Sequence, residues 1–141
     1  MRKNFADFMD ELGNENCDLD AFLQKNESKF TQFDPKRAWG TLTDQSALTK
    51  NEIINRSEIS YAFFYDIING RKMPSRDKVM RLALALNIAY IDCQEILKGL
   101  KHAPLSAKDR RDCILLYALE HSCTPAETSE LLLQHGEEAL K

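Results

Sequence analysis

The chain is poor in the residues that make turn-rich or cross-linked folds. It has 5 Gly and 4 Pro among 141 residues, too few for a sandwich of many short strands or for a disordered polymer. Its 4 cysteines, Cys17, Cys93, Cys113 and Cys123, share no C-x-x-C spacing. They are expected to be buried thiols, with neither a disulfide framework nor a zinc site. No apolar run approaches the roughly 20 residues that cross a bilayer, so no membrane association is expected. The opening MRKNFADFMDELGNENCD is charged and lacks the apolar stretch of a secretory signal, which predicts a cytoplasmic protein. There is no G-x-S-x-G, no H-E-x-x-H and no Gly-rich phosphate loop. The chain is therefore expected to be neither an enzyme nor a cofactor binder. His121 with Cys113 and Cys123 lacks the spacing of a zinc knuckle, and His102 and His135 fall in other segments, so no metal is expected.

What is present is helical. Runs of alternating Val, Ile and Thr are absent, and apolar residues recur every three or four positions, which predicts an all-α fold. Residues 4–12 (Phe5, Phe8, Met9, Leu12) form a first helix, and Asp18 caps a second with Leu19, Phe22 and Leu23. Asp34-Pro35 opens a third, extending to about Leu48 with Ala38, Trp39, Leu42 and Ala47 as its apolar side. Thr49 and Glu52 form a capping box for a short helix with Ile53 and Ile54. After a break at 57–60, another helix carries Phe64, Ile67 and Ile68 and stops at Asn69-Gly70. Arg71-Lys72-Met73-Pro74 is a basic loop leading to Ser75, the cap of a helix over 76–87. A helix over 90–98 follows, then one from near Ser106 to Glu120, then one opened by Thr124-Pro125. The reading gives three parts: an N-terminal extension at 1–33, a central domain at 34–99, and a C-terminal helical extension at 100–141 packed on it.

Charge is unevenly spread. The net formal charge is −3. Residues 49–81 nonetheless carry Lys50, Arg56, Arg71, Lys72, Arg76, Lys78 and Arg81 against Glu52, Glu58, Asp66 and Asp77, a balance of +3. The stretches 1–33 and 82–141 each balance at −3. A basic island in an acidic chain is what a phosphate-facing surface needs. The run Lys108-Asp109-Arg110-Arg111-Asp112 is read as a solvated, salt-bridged first turn of a helix.

Residues 49–75, TKNEIINRSEISYAFFYDIINGRKMPS, resemble the helix-turn-helix of the phage-repressor-like family, the Xre or Cro/cI type. The likeness continues through 76–87 and 90–98 and covers about half the chain. It implies a five-helix, lambda-repressor-like core with flanking helices. The first helix of the pair would brace the second, whose polar face enters a major groove about 12 Å wide. By this resemblance Ser60, Tyr61, Ala62, Tyr65 and Asp66 face base edges. Lys50, Asn51, Arg71, Lys72 and Arg76 meet phosphates. The chain departs from the family in having Ile54 where a small residue is usual and Glu58 where the turn usually has Gly. The base-facing set holds no Arg, Gln or Asn, so sequence discrimination is expected to be modest. Removing Asp66 is expected to tighten binding to every duplex.

The stretch from Leu82 to His121 resembles a bacterial group in which this motif has a C-terminal helical extension. The implied function is a bacterial transcriptional regulator, a homodimer on double-stranded DNA. The other reading is an adaptor on the same fold, docking a protein partner through Tyr61 and Phe63, which are expected to be exposed, or through the C-terminal helices.

Overall fold

A computed structural model of the chain describes residues 5–30 and 32–141, and regular structure among these is helical throughout. No helix of the described residues is long and apolar enough to cross a membrane. The chain divides into two compact units, 1–32 and 33–141. No division falls near 99, so the central and C-terminal parts read from the sequence form one body.

The first unit has α1 (Phe5–Leu12), α2 (Leu19–Lys25) and a 3₁₀ turn, Glu27–Lys29. The expected start at Asn4 lies outside the described residues. Asp18 accepts a hydrogen bond from Asp20 N–H at the head of α2. The Phe8 and Phe22 rings meet edge to face at 6.3 Å. Phe5, Met9, Leu12, Leu19, Leu23 and Phe30 remain exposed.

The second unit contains seven helices: α3 (Pro35–Gln45), α4 (Lys50–Ser57), α5 (Tyr61–Ile68), α6 (Arg76–Leu86), α7 (Tyr90–Gly99), α8 (Arg110–Glu120) and α9 (Pro125–Gln134). Six of them open on a side-chain cap, each satisfying a backbone N–H that the helix leaves unpaired. The caps are Asp34, Thr49, Ser60, Ser75, Asp109 and Thr124. Thr49 with Glu52, and Thr124 with Glu127, close as reciprocal capping boxes. The helix expected to reach Leu48 stops at Gln45, because Ser46 turns to extended backbone and its hydroxyl accepts from Leu48 N–H. Ala47 is consequently exposed rather than buried. The helix expected from near Ser106 starts at Arg110, where Asp109 supplies the cap.

Helix α6 is the axis of the unit. Val79, Met80 and Leu82 to Leu86 are all buried, and α4, α7, α8 and α9 pack around it. Helix α3 closes one side against α5 and α7, and Trp39 is fully buried. Burying a side chain of this class contributes about 1.5–3 kcal/mol relative to exposure. Phe64 and Ile67 on α5, and Ile53 on α4, reach the same core. Phe63 also packs against it and is half-buried, so only Tyr61 of the pair expected outside is exposed.

Gly99 ends α7 beneath the Phe33 ring, and a Cβ there would overlap that ring. Gly99→Ala is expected to displace Phe33 and cost about 1–3 kcal/mol, the usual penalty of overpacking. Urea denaturation measures it. Unchanged stability would show that Phe33 contributes nothing to the packing of α7.

Candidate nucleic-acid interface

The region of interest begins at the turn between α4 and α5. Glu58 sits there at φ 57°, ψ 32°, in the left-handed region that favours glycine. Its N–H donates to Ile54 O and closes α4. The Glu58 carboxylate does not stand alone, because it takes Arg81 Nη1 at 3.3 Å. The positive charge beside it accounts for a glutamate being tolerated near a surface read as phosphate-facing. Ser60 then caps α5 by accepting from Phe63 N–H, so its hydroxyl has a structural role at the base-facing position the sequence suggested.

Helix α5 presents two tyrosines. Tyr61 is 63% exposed, and its ring lies 4.6 Å from that of Tyr65. The Tyr65 hydroxyl beside it raises the Tyr61 phenol above its ordinary value, so Tyr61 stays a neutral donor at physiological pH. Lys50, at the head of α4, reaches across to α5, with Nζ 5.8 Å from the centroid of Tyr65. Exposed cation–π contacts of this kind contribute about 0.5–1 kcal/mol. Asn51 and Ala62 are exposed.

The basic loop hangs on Asp66. Gly70 takes φ 73°, which lets the chain reverse after α5. Arg71 and Lys72 N–H both donate to Asp66 O, at 2.8 and 3.2 Å. Their side chains return to the same residue: Lys72 Nζ lies 3.4 Å and Arg71 Nη1 3.9 Å from the Asp66 carboxylate. Arg71 and Lys72 are 67% and 62% exposed, so these pairs are weak and solvent-screened. Asp66 therefore lies between the two cations, and its own side chain is only 25% exposed. The backbone of Lys36, on α3, lies directly against Gly70. Sequence reasoning missed Lys36, because nothing in the spacing of α3 shows that its first turn abuts a glycine 34 residues on.

Arg76 does not belong to this face. Its Nη1 and Nη2 fork onto Asp112, each at 2.8 Å. Nε donates to Ala103 O and Nη2 also to Pro104 O. These bonds commit its guanidinium to the C-terminal helices, which is why it does not join Arg71 and Lys72. The next residue repeats the pattern in the opposite sense. Asp77 takes a fork from Arg111 at 3.0 and 2.9 Å, and Lys141 N–H as well. Arg-Asp on α6 thus meets Arg-Asp on α8 with the signs crossed. Burial pushes both carboxyls up, but the guanidinium forks, the backbone N–H donors and the neighbouring arginine charges outweigh it and hold both below the ordinary value. The run 108–112 is accordingly not a solvated first turn at Arg111 and Asp112, which are partly and almost wholly buried.

Of the expected set, Lys50, Tyr61, Tyr65, Asp66, Arg71 and Lys72 are linked through α5. No protein-family model, no curated protein and no solved structure matches the chain.

Proposed function

We propose that residues 33–141 are a helix-turn-helix DNA-binding domain of the phage-repressor-like kind, and that the protein is a bacterial transcriptional regulator. The observation that carries this reading is the gathering of Lys50, Arg71 and Lys72 around the exposed side of α5. Two eight-residue helices joined through a left-handed residue at the turn support it. In this reading α5 enters the major groove, and Tyr61, Ala62 and Tyr65 meet base edges largely through apolar contact. Arg71 and Lys72 follow α5 in a loop that the phosphates pass, while Lys50 and Asn51 meet the backbone from the head of α4. The protein works as a cytoplasmic homodimer, with two copies of α5 about 34 Å apart on a two-fold site. It is a binding module without a catalytic centre or cofactor.

The test is the salt dependence of duplex binding, followed by fluorescence anisotropy. Three phosphate contacts predict that log K falls with log salt at a slope of about −2.7 per protomer. A slope near zero, or no binding at low salt, overturns the reading.

A second reading, a protein-docking adaptor on the same scaffold, is favoured by one observation. Tyr61 and Met73 are 63% and 65% exposed beside a helix with no bidentate base reader. Phe63 does not support it, since that ring packs inward. An adaptor would bind its partner through Tyr61 with little dependence on salt.

A further inference from the structure

On the outer side of α8, facing α9, lies an open groove of about 600 Å³. Its apolar lining is Cys113, Ile114, Tyr117 and Leu131, and Lys108 and Arg110 stand among the lining residues. No Asp or Glu lines it, although residues 82–141 as a whole carry a charge balance of −3. Arg110 is held in place by Glu137, at 3.4 Å from Nε, and by His135 O, which accepts from Nη2 at 3.0 Å. The Lys108 ammonium is exposed and has no partner among the described residues. The residues of α8 that face the other way, Arg111 and Asp112, are the ones locked onto α6. Arg111 and Asp112 are thus used in packing, and the other face offers apolar surface together with the unpaired Lys108 ammonium and Arg110, whose charge is shared with Glu137.

We propose that this groove binds a small organic acid with an apolar body. The anionic head would lie on Lys108 and Arg110, and an alkyl or aromatic body would lie against Ile114, Tyr117 and Leu131. The volume is that of a small-molecule site, mostly apolar with a few polar groups to orient the ligand. The charge complementary to an anion is the exposed Lys108 ammonium, with the Arg110 guanidinium, shared with Glu137, beside it.

Cys113 supplies the readout. It is an exposed thiol in the lining, whereas Cys17 belongs to the other unit and serves as the internal reference. The experiment alkylates the full chain with iodoacetamide, resolves each cysteine by peptide mapping, and uses decanoate below its micelle concentration as the probe. No nucleic acid is present, so the outcome is independent of the DNA-binding reading.

Decanoate is expected to slow alkylation of Cys113 by about threefold or more while Cys17 reacts as before, the effect of covering one groove. Butanoate should need at least about tenfold more to reach the same protection, because fewer methylenes are buried. Decanol, which keeps the chain and loses the charge, should protect poorly. Lys108→Gln, a change at an exposed side chain that leaves packing untouched, should raise the half-protecting decanoate concentration by about fivefold.

Equal slowing of Cys17 and Cys113 would overturn the proposal, as would decanol matching decanoate or Lys108→Gln having no effect. Protection of Cys113 that appears without decanoate and disappears on dilution would assign the groove to a second copy of the chain instead.

Discussion

Asp112→Ala is expected to lower the stability of the 33–141 unit by about 3 kcal/mol and its Tm by roughly 10 °C. The Asp112 carboxylate is 8% exposed and accepts both arms of Arg76 and the N–H of Ser106. Removing it leaves a half-buried guanidinium with only the Ala103 and Pro104 carbonyls as partners. Breaking a buried pair from one side costs about 3–5 kcal/mol, and the 26% exposure of Arg76 puts this case at the lower end. The double variant Arg76→Met with Asp112→Leu should recover much of the loss, because neither charge is then stranded. Thermal and urea unfolding of both variants measure the effect. If the double variant is as unstable as the single one, the cost lies in packing around α8 and not in the stranded charge.

The same network sets the acid limit of the fold. Asp77 and Asp112 both have folded pKa values below the ordinary carboxylate value. Their contribution is complete above the unfolded-state value near about 3.9. It is lost as pH falls through the lower folded values, because the unfolded chain then binds more protons. The stability of Asp112→Ala should accordingly fall less steeply with acid than that of the native chain.

The crossed pairs also show where the sequence stopped being informative. Caps and helix order were legible because each depends on residues within four positions of one another. Thr49 with Glu52, and Thr124 before Pro125, are complete signals in themselves, whereas α8 opens at the Asp109 cap and not near Ser106 as expected. The helix over 76–87 was legible from its Ser75 cap, but the burial of Met80, Leu84 and Ala85 besides Val79, Leu82, Ala83 and Leu86 was not. The partner of Arg76 was not legible, since it lies 36 residues away and the residue types alone allow a phosphate as readily as a carboxylate. The forks form because the first turns of α6 and α8 pack together and bring the two Arg-Asp dipeptides opposite each other, and only packing decides that. Glu58 shows an intermediate case. The positive φ was implied by the resemblance at the turn, but the Arg81 guanidinium that meets its charge comes from α6 and was out of reach. Cys113 failed for a similar reason. It stands beside Ile114 and Leu115 in sequence, yet α8 turns that position outward, and the residue is exposed.

Changing Arg71 and Lys72 together to Ala is expected to weaken binding to every duplex by about one to two orders of magnitude and to reduce the salt slope by about 1.8. Both side chains are exposed, and neither packs into the core, so the fold should be unaffected. Asp66→Ala should act in the opposite direction. Its carboxylate sits 3.4 Å from Lys72 and 3.9 Å from Arg71, and competes with phosphate for both. The backbone carbonyl of residue 66, which holds the loop through the N–H groups of Arg71 and Lys72, survives the substitution. The loop therefore keeps its course while two cations lose their internal counter-charge. Binding should tighten about threefold to tenfold on all sequences, with a steeper salt slope. Combining Asp66→Ala with the Arg71 and Lys72 changes separates this mechanism from simple removal of a repulsive charge. If Asp66 acts through the two cations, its loss changes little once they are gone. If it repels the phosphates directly, it still tightens binding in the triple variant. A loss of affinity confined to one base pair would show instead that Asp66 accepts from a cytosine amine, and that α5 reads sequence through its only carboxylate.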